Sequence, residues 1–333
     1  MRAVWLAMGL ATVLTALVAA VVATRHDEEP ASRKRPPLAE PKHGDGSGLS
    51  IEADLRQRAA RSELPARRKI RDGEAVPVGG FADVVWLLAS ATPPASGQAA
   101  TGGVCTGTLV APDAVVTALH CVCFNGLRAA MFGNSAGAAD RQWIRLKSPA
   151  PDWSACDRLF PEADDVALIR LEHPPAGIAP RPLAPADMID AANAYTIVGF
   201  GGTGSSADKQ GIKRGTMVGR ASASCSGHVP SLVPPRSDAA AYGCRPGREI
   251  VAGAMPNSSL SPDTCPGDSG GPLYVSPSLP AVGDPPEAEM RLAGVTSRPT
   301  ARQQQQCGDG GIYVRLTGET RAWLEAELAR PQP

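Results

Sequence analysis

The chain has 333 residues, with 33 lysines and arginines against 33 aspartates and glutamates, so its formal net charge is zero. That balance gives no basic footprint for a nucleic-acid partner, and a hydrophobic content of 43% excludes a wholly disordered chain. With 35 glycines and 32 prolines, the composition favours a turn-rich β protein over a helical bundle.

The first 24 residues carry one basic residue, Arg2, followed by an uninterrupted run of small and apolar residues. This pattern is typical of an export signal, and the small residues at 21–23 offer a cleavage site. The run is also long enough to cross a bilayer. A cleaved signal peptide and a retained membrane anchor therefore both stay open, and either one predicts a secreted, periplasmic or otherwise extracytoplasmic protein.

Residues 25–69 are rich in charged side chains and poor in apolar ones, so we predict a flexible tether that builds no core. After residue 69, short apolar runs alternate with Gly, Pro, Asn, Asp and Ser, which indicates the short strands of a sandwich or barrel. We predict strands at 84–88, 107–110, 114–119, 166–171, 195–200, 273–275 and 292–296, and a helix at 318–330.

A serine lies among glycines in residues 264–272, TCPGDSGGP. Glycines at that density let the backbone bend sharply and direct N–H groups at one point, although an ordinary β-turn also suits GDSG. A serine hydroxyl is a poor nucleophile until a base removes its proton. If Ser269 is catalytic, the chain must therefore supply a histidine and an orienting carboxylate elsewhere.

Of the five histidines, His120 alone ends an apolar run and is followed directly by a cysteine. The carboxylate candidate is Asp165, which begins the apolar run 166–171, whereas Asp164 would point to the other face. The order His120, Asp165, Ser269 is that of chymotrypsin. It excludes the α/β-hydrolases, in which histidine follows serine, and it differs from subtilisin, in which aspartate precedes histidine.

Three ordered segments, 105–121, 165–171 and 263–272, resemble the trypsin/chymotrypsin-like serine proteases, and the resemblance extends from residue 70 to about residue 328. It implies an all-β fold of two six-stranded antiparallel β-barrels packed face to face, with a C-terminal α-helix. It also implies a serine endopeptidase that acts on proteins or peptides without a cofactor or metal.

By this resemblance, His120 is the general base, Asp165 orients it and Ser269 is the nucleophile. The N–H groups of Gly267 and Ser269 match the oxyanion hole. A protease-like binding module without turnover is the alternative, but such proteins usually lack a member of the triad, and here all three are present.

The resemblance also divides the chain into an export segment (1–24), a propeptide tether (25–69) and a protease domain (70–333). Ile70 looks like the new N-terminus of an activated zymogen, because it follows the basic run ARRK that ends at Lys69. An activating protease would cut after Lys69, and the ammonium group of Ile70 would then pair with Asp268 beside the nucleophile.

Asp263 matches the acid at the base of the trypsin pocket, and Gly311 matches a glycine that keeps that pocket open. These two residues imply cleavage after Arg or Lys. Ser297 fits the substrate-binding wall strand, but Arg298 and Pro299 stand where the family usually has Trp and Gly. Pro299 lacks an N–H, so one hydrogen bond to an extended substrate is expected to be lost.

The eight cysteines are an even number in an exported chain, which favours disulfides over a metal site at His120-Cys121-Val122-Cys123. The resemblance implies the pairs Cys105–Cys121 and Cys265–Cys307. The remaining four cysteines allow three connectivities, of which sequence order favours Cys123–Cys156 and Cys225–Cys244.

Overall fold

The computed structural model describes residue 70 and residues 73–89, 104–124, 126–135, 140–149, 156–157, 164–203, 211–229, 231–232, 234–253, 262–277, 286–304 and 307–331. The expected export segment and tether, including Lys69, lie outside the described residues. No helix in the described ranges is long and apolar enough to cross a membrane.

The described part of the chain is mostly β-strand, with a few short helices and one longer helix near the C-terminus. In chain order, the elements are β1 (Glu74–Ala75), β2 (Val84–Leu88), β3 (Val104–Ala111), β4 (Ala114–Thr117), α1 (Leu119–Phe124), β5 (Ala129–Phe132), β6 (Asp140–Pro149), β7 (Ala167–Leu171), α2 (Ala186–Ala191), β8 (Ala194–Gly199), β9 (Arg214–Ser222), β10 (His228–Val229), β11 (Arg236–Ser237), α3 (Asp238–Tyr242), β12 (Glu249–Ala252), β13 (Pro272–Val275), β14 (Arg291–Pro299), β15 (Gly311–Arg315) and α4 (Gly318–Ala329).

The strands form two closed antiparallel barrels. The first barrel has the order β2-β3-β4-β7-β6-β5. The second has the order β9-β12-β15-β14-β13-β8 and closes through pairing of β8 with β9, while β1 adds a short strand at the edge of β9. The expected fold of two six-stranded barrels with a C-terminal helix is therefore confirmed.

Continuous apolar runs produce the most deeply buried strands. All residues of β2, β4, β7 and β13 are buried, because side chains on one face fill a barrel and those on the other pack against neighbouring elements. One hydrophobic cluster includes Trp86 and Leu168 from the first barrel together with Val198, Tyr274 and Val295 from the second. This shared core packs the two barrels against each other.

A buried ion pair also joins the barrels. Both nitrogens Nε and Nη2 of Arg181, in the segment between the barrels, donate to the carboxylate of Asp83 at 3.0 and 2.6 Å. Tyr274, on β13, donates its hydroxyl to the same carboxylate. Asp83 directly precedes β2, so this contact links the first barrel to the second.

Four disulfides connect the described cysteines, and they are the pairs expected from the sequence: Cys105–Cys121, Cys123–Cys156, Cys225–Cys244 and Cys265–Cys307. No described cysteine is free. The first bond ties β3 to α1, and the last ties the segment before β13 to the segment before β15.

The strand predicted over 114–119 ends earlier than expected. β4 stops at Thr117, and the chain turns into α1 at Leu119. The turn is held by side-chain and disulfide contacts from residues distant in sequence, which an apolar run cannot show. The backbone N–H of His120 donates to Asp165 at 2.9 Å, and Cys121 is bonded to Cys105.

Candidate active site

His120 and Asp165 are brought together at one end of the first barrel. His120 lies in α1 directly after β4, and Asp165 lies just before β7, which pairs with β4. The Nδ1 atom of His120 lies 2.9 Å from Oδ2 of Asp165. The carboxylate thus contacts both the backbone N–H and the ring of His120, and these two contacts fix the direction in which Nε2 points.

A third hydrogen bond to Asp165 comes from the second barrel. Ser297 on β14 donates its hydroxyl to Oδ2 at 2.7 Å. Asp165 is completely buried, and its two oxygens accept three hydrogen bonds, so its polar atoms are satisfied in that environment. Ser297 was expected to bind substrate, so its contact with Asp165 is a further role that the sequence did not indicate.

The loop that carries Ser269 is folded against the same region. The N–H of Thr106 donates to the carbonyl of Ser269 at 2.8 Å, and the N–H of Gly270 donates to Thr296, next to Ser297. Gly270 has a φ of +81°, and a Cβ there would lie only 2.0 Å from Oγ1 of Thr117. Only glycine allows the loop to approach the end of β4 so closely, three residues before His120.

Two N–H groups of this loop remain available. The N–H groups of Asp268, Gly270 and Gly271 bond to backbone carbonyls. Within the described parts of the chain, no acceptor is bonded to the N–H of Gly267 or of Ser269. These are the two groups expected to form the oxyanion hole, and donors without an internal partner can bind a developing anion.

Asp268, in the same loop, is buried and has no ion-pair partner among the described residues. Its oxygens accept the N–H groups of Gly201 at 2.7 Å and Cys265 at 2.9 Å. Burial raises the pKa of Asp268 to about 7, against the opposing effect of these two donors. A Cβ at Gly199 would lie 2.1 Å from the carboxylate, so glycine makes the space that Asp268 fills.

Ile70 is buried in the second barrel, with 1% of its surface exposed. Its side chain belongs to the hydrophobic cluster that includes Ile189, Tyr195 and Ile197. The candidate activation residue is therefore packed on the same barrel that carries Asp268.

Asp263 lies at the base of the loop between residues 307 and 310. Its Oδ2 accepts the N–H groups of Gly308 and Gly310 at 2.9 and 3.1 Å, and its Oδ1 accepts that of Thr264 at 2.8 Å. Burial raises the pKa of Asp263 to about 6, and the three backbone donors oppose that effect. The hydroxyl of Thr264 lies 3.5 Å from the same Oδ1, so four donors surround a carboxylate that can accept about four hydrogen bonds.

Gly311 keeps the neighbouring space open. A Cβ at this position would lie 2.9 Å from the hydroxyl of Tyr313 and 3.0 Å from Oγ1 of Thr264. Gly311 also pairs with Pro299 across β14 and β15, so both residues expected to shape the substrate pocket lie on adjacent strands.

Arg298 neither points freely into solvent nor stands alone as a positive charge. Its Nη1 and Nη2 atoms donate to the two carboxylate oxygens of Glu249 at 2.7 and 2.9 Å. Glu249 is completely buried and also accepts the backbone N–H and Nε of Arg245. Glu249 was not predicted from the sequence, although an acid at the start of an apolar run, the signal that pointed to Asp165, is present here too.

Thr106 is a second residue that the sequence did not single out. Its hydroxyl donates to the carbonyl of Gly267 at 2.9 Å and accepts the N–H of Phe200 at 3.2 Å. It therefore orients the peptide unit beside the two available N–H groups. No sequence pattern indicates this role, because a threonine inside an apolar strand is common.

Cys105, His120 and Cys121 are the one cluster of metal-ligand types found in the described residues. Both cysteines are consumed in one disulfide, so they offer no thiolate to a metal. The arrangement favours a fixed imidazole over a metal centre.

Comparison with known proteins identifies the family of this chain. The family profile described as Trypsin matches residues 90–324. A curated protein named Trypsin, from Saccharopolyspora erythraea, is 30% identical over 227 residues, which cover 64% of this chain and 82% of that protein. With two six-stranded barrels and a match over more than half of its length, the chain belongs to the trypsin family of serine proteases.

Proposed function

We propose that the protein is an exported serine endopeptidase that hydrolyses peptide bonds through an acyl-enzyme on Ser269. The observation that carries this proposal is the convergence of three features: the His120–Asp165 hydrogen bond, a loop that brings Ser269 to the same end of the first barrel, and the available N–H groups of Gly267 and Ser269.

In the proposed reaction, Nε2 of His120 takes the proton of the Ser269 hydroxyl as its oxygen attacks the substrate carbonyl. The resulting oxyanion accepts hydrogen bonds from the N–H groups of Gly267 and Ser269. His120 then gives its proton to the leaving amine, and Asp165 stabilises the imidazolium between these two steps. Water, activated in the same way, releases the acyl group and restores the hydroxyl.

We further propose cleavage after Arg or Lys. The buried carboxylate of Asp263 is bonded to uncharged donors and forms no ion pair within the described residues, which supports a cationic side chain in the adjoining pocket. Arg298 does not oppose this preference, because its charge is balanced by Glu249.

We propose that the chain is a zymogen, activated by a protease that cuts after Lys69. The buried side chain of Ile70 and the buried carboxylate of Asp268 support this idea. An ammonium group at Ile70 would supply Asp268 with the cation that the described residues do not provide as an ion pair. The first 24 residues support export, either as a cleaved signal or as a membrane anchor.

The decisive test is active-site labelling. The purified chain is treated with trypsin, then with a fluorophosphonate, and the labelled residue and the N-terminus are mapped by mass spectrometry. We expect labelling of Ser269 only after Ile70 has become the N-terminus, and no activation of Lys69→Gln. An absence of labelling before and after trypsin would favour a protease-like binding module.

Specificity is tested with peptide amides that differ only at the residue before the cleaved bond. We expect kcat/KM to favour Arg and Lys over Phe and Ala, and Asp263→Asn to lower it for Arg by about 100-fold or more. Because burial raises the pKa of Asp263 to about 6, kcat/KM for the Arg substrate should rise as pH passes 6. A preference for Phe or Ala would contradict the assignment.

A further inference from the structure

We propose that Arg298 is a positioning residue which, clamped by the buried Glu249, holds the hydroxyl of Ser297 against Asp165 and so fixes the carboxylate that orients His120. The inference rests on the proposed proteolytic function and adds a residue to that site. It concerns a position where this chain carries Arg in place of the Trp expected for the family.

The clamp is a two-point contact. Nη1 and Nη2 of Arg298 reach the two oxygens of Glu249 at 2.7 and 2.9 Å, and Nη2 also donates to the carbonyl of Gly243 at 3.0 Å. A planar guanidinium held at both nitrogens has little rotational freedom. With 20% of its side chain exposed, against none of Glu249, Arg298 is held at a fixed place beside β14.

The same guanidinium reaches the active site through one hydroxyl. Nη1 of Arg298 lies 3.4 Å from Oγ of Ser297, and that oxygen lies 2.7 Å from Oδ2 of Asp165. Because the arginine can only donate, Ser297 accepts from it and must turn its own hydrogen toward Asp165. A hydroxyl that accepts from a cation is also a stronger donor, which favours the bond to the carboxylate.

The backbone explains how two adjacent residues reach one another. In a regular strand, Ser297 and Arg298 would project to opposite faces of the sheet. The register of β14 with β15 instead shifts between Thr296 and Arg298, which is an irregularity of the β-bulge type. Such bulges redirect side chains, and this one allows Ser297 to face Asp165 while Arg298 turns toward Glu249 and still contacts the serine.

The charge of Arg298 also has a definable effect on His120. In the described part of the chain, ion pairs link Arg298 to Glu249, Glu249 to Arg245, and Arg245 through Asp164 to Arg248 and Glu319, and Asp164 directly precedes Asp165. Removing the cation of Arg298 leaves this environment more negative, which stabilises the imidazolium form of His120. Removing the anion of Glu249 does the opposite.

Loss of Arg298 should leave the fold intact. Glu249 would keep its bonds to the backbone N–H and Nε of Arg245, at 2.7 and 3.0 Å, so it would not become an unpaired buried charge. The variant therefore tests positioning and charge with little risk that the protein fails to fold.

The experiment measures the pKa of His120 by NMR titration of its ring Cε1–H in a Ser269→Ala background, with the resonance assigned by comparison with His120→Ala. We expect Arg298→Met to raise this pKa by about half a unit and Glu249→Gln to lower it by a similar amount. Arg298→Lys, which keeps the charge, should leave it within about 0.2 units. Arg248→Met is the matched control, because it removes an equal charge from an exposed side chain that is bonded to Asp164 and Glu319. It should change the pKa of His120 by less than about 0.2 units.

Kinetics in the Ser269 enzyme provide the second measurement. We expect Arg298→Met to lower kcat about 3- to 10-fold and to leave KM within twofold of the wild-type value. The acid limb of its pH profile should move to higher pH, and Arg298→Lys should recover part of the loss of kcat. The inference would be overturned if Arg298→Met and Arg248→Met changed the pKa of His120 equally. It would also be overturned if Arg298→Met and Glu249→Gln shifted that pKa in the same direction. An inactive wild-type enzyme would overturn the proposed function instead, while the NMR titration would still decide the role of Arg298.

Discussion

Asp165 and Asp268 are both buried aspartates, yet their surroundings differ sharply. Asp165 accepts bonds from His120, twice, and from Ser297, and the imidazole can supply a positive charge. Asp268 accepts two backbone N–H groups, and burial raises its pKa to about 7. A histidine and a serine side chain therefore contact Asp165, whereas in the described part of the chain only backbone N–H groups donate to Asp268.

This difference predicts an unusual dependence of stability on pH in the uncleaved chain. Because the pKa of Asp268 in the folded protein, about 7, exceeds its ordinary value of 3.8, the folded state binds more protons between those values. The free energy of unfolding should therefore fall as pH rises from 4 to 7. Urea unfolding of Ser269→Ala at four pH values in this range measures the effect.

Asp268→Asn provides the comparison for that measurement. It should flatten most of the decline, leaving the smaller contribution of Asp263, whose raised pKa of about 6 acts in the same direction. In the chain cleaved at Ile70, the new ammonium group should also reduce the decline. Identical slopes in the uncleaved protein with Asp268 and with Asn at this position would contradict the prediction.

The geometry of the loop before β13 depends on how closely this loop approaches the first barrel. Gly270 allows this loop to contact the end of β4, where a Cβ would also lie 2.4 Å from the carbonyl of Thr106 and 2.7 Å from the N–H nitrogen of Ala118. These are backbone atoms of the first barrel, so the loop cannot relieve the overlap by rotating a side chain.

We therefore expect Gly270→Ala to displace Ser269. The left-handed backbone alone costs alanine about 1–2 kcal/mol, and the clash should lower the free energy of unfolding by about 1–3 kcal/mol more. Gly177→Ala is the matched control, since Gly177 has a φ of +71° and a Cβ added there would have no atom within 4 Å. Urea unfolding and the rate of fluorophosphonate labelling check both variants, and equal effects would show that the close approach is unimportant.

Several strands with continuous apolar runs were predicted from the sequence, whereas contact-dependent features were not. β2 occurs at the predicted residues, and β7, β8 and α4 differ from their predicted bounds by one residue at one or both ends. β9 was not predicted, because it is polar and only partly buried. The fully buried strands β5, β12 and β15 were not predicted either. The ion pair between Glu249 and Arg298 could not be predicted from the sequence either, because 49 positions separate the two residues.

The candidate site shows the same division. His120, Asp165 and Ser269 were predicted from residue types, apolar runs and chain order, and the structure brings His120 and Asp165 into contact. The hydrogen bond from the hydroxyl of Ser297 to Asp165 depends on an irregularity in β14, and no residue pattern in the sequence predicts that irregularity. The identities of the candidate catalytic residues could therefore be predicted from the sequence, whereas the side-chain contacts between strands became known only from the structure.

At the scale of the whole molecule, the two barrels are joined by a shared core and by a buried charge pair. Asp83 and Arg181 are exposed by only 2% and 8%, and the hydroxyl of Tyr274 completes the contact. Arg181 also donates to the carbonyl of Glu287 at 2.6 Å. Loss of the carboxylate would leave a buried guanidinium without its main partner.

Asp83→Asn should therefore destabilise the protein by about 3–5 kcal/mol. Tyr274→Phe, which removes one hydrogen bond and keeps the ion pair and the ring, should cost about 1 kcal/mol. Urea unfolding of both variants at pH 7 measures the difference. A cost for Asp83→Asn no larger than that for Tyr274→Phe would show that this contact does not hold the barrels together.

The position of the disulfides has a consequence for where the enzyme acts. All eight cysteines lie between residues 105 and 307 and pair with one another, so residues 1–69 have no covalent connection to the barrels except the peptide chain itself. If a cut after Lys69 activates the protease, as we propose, the same cut would also detach it. If the first 24 residues stay in a membrane, the precursor remains where it was exported, and only the active enzyme diffuses away.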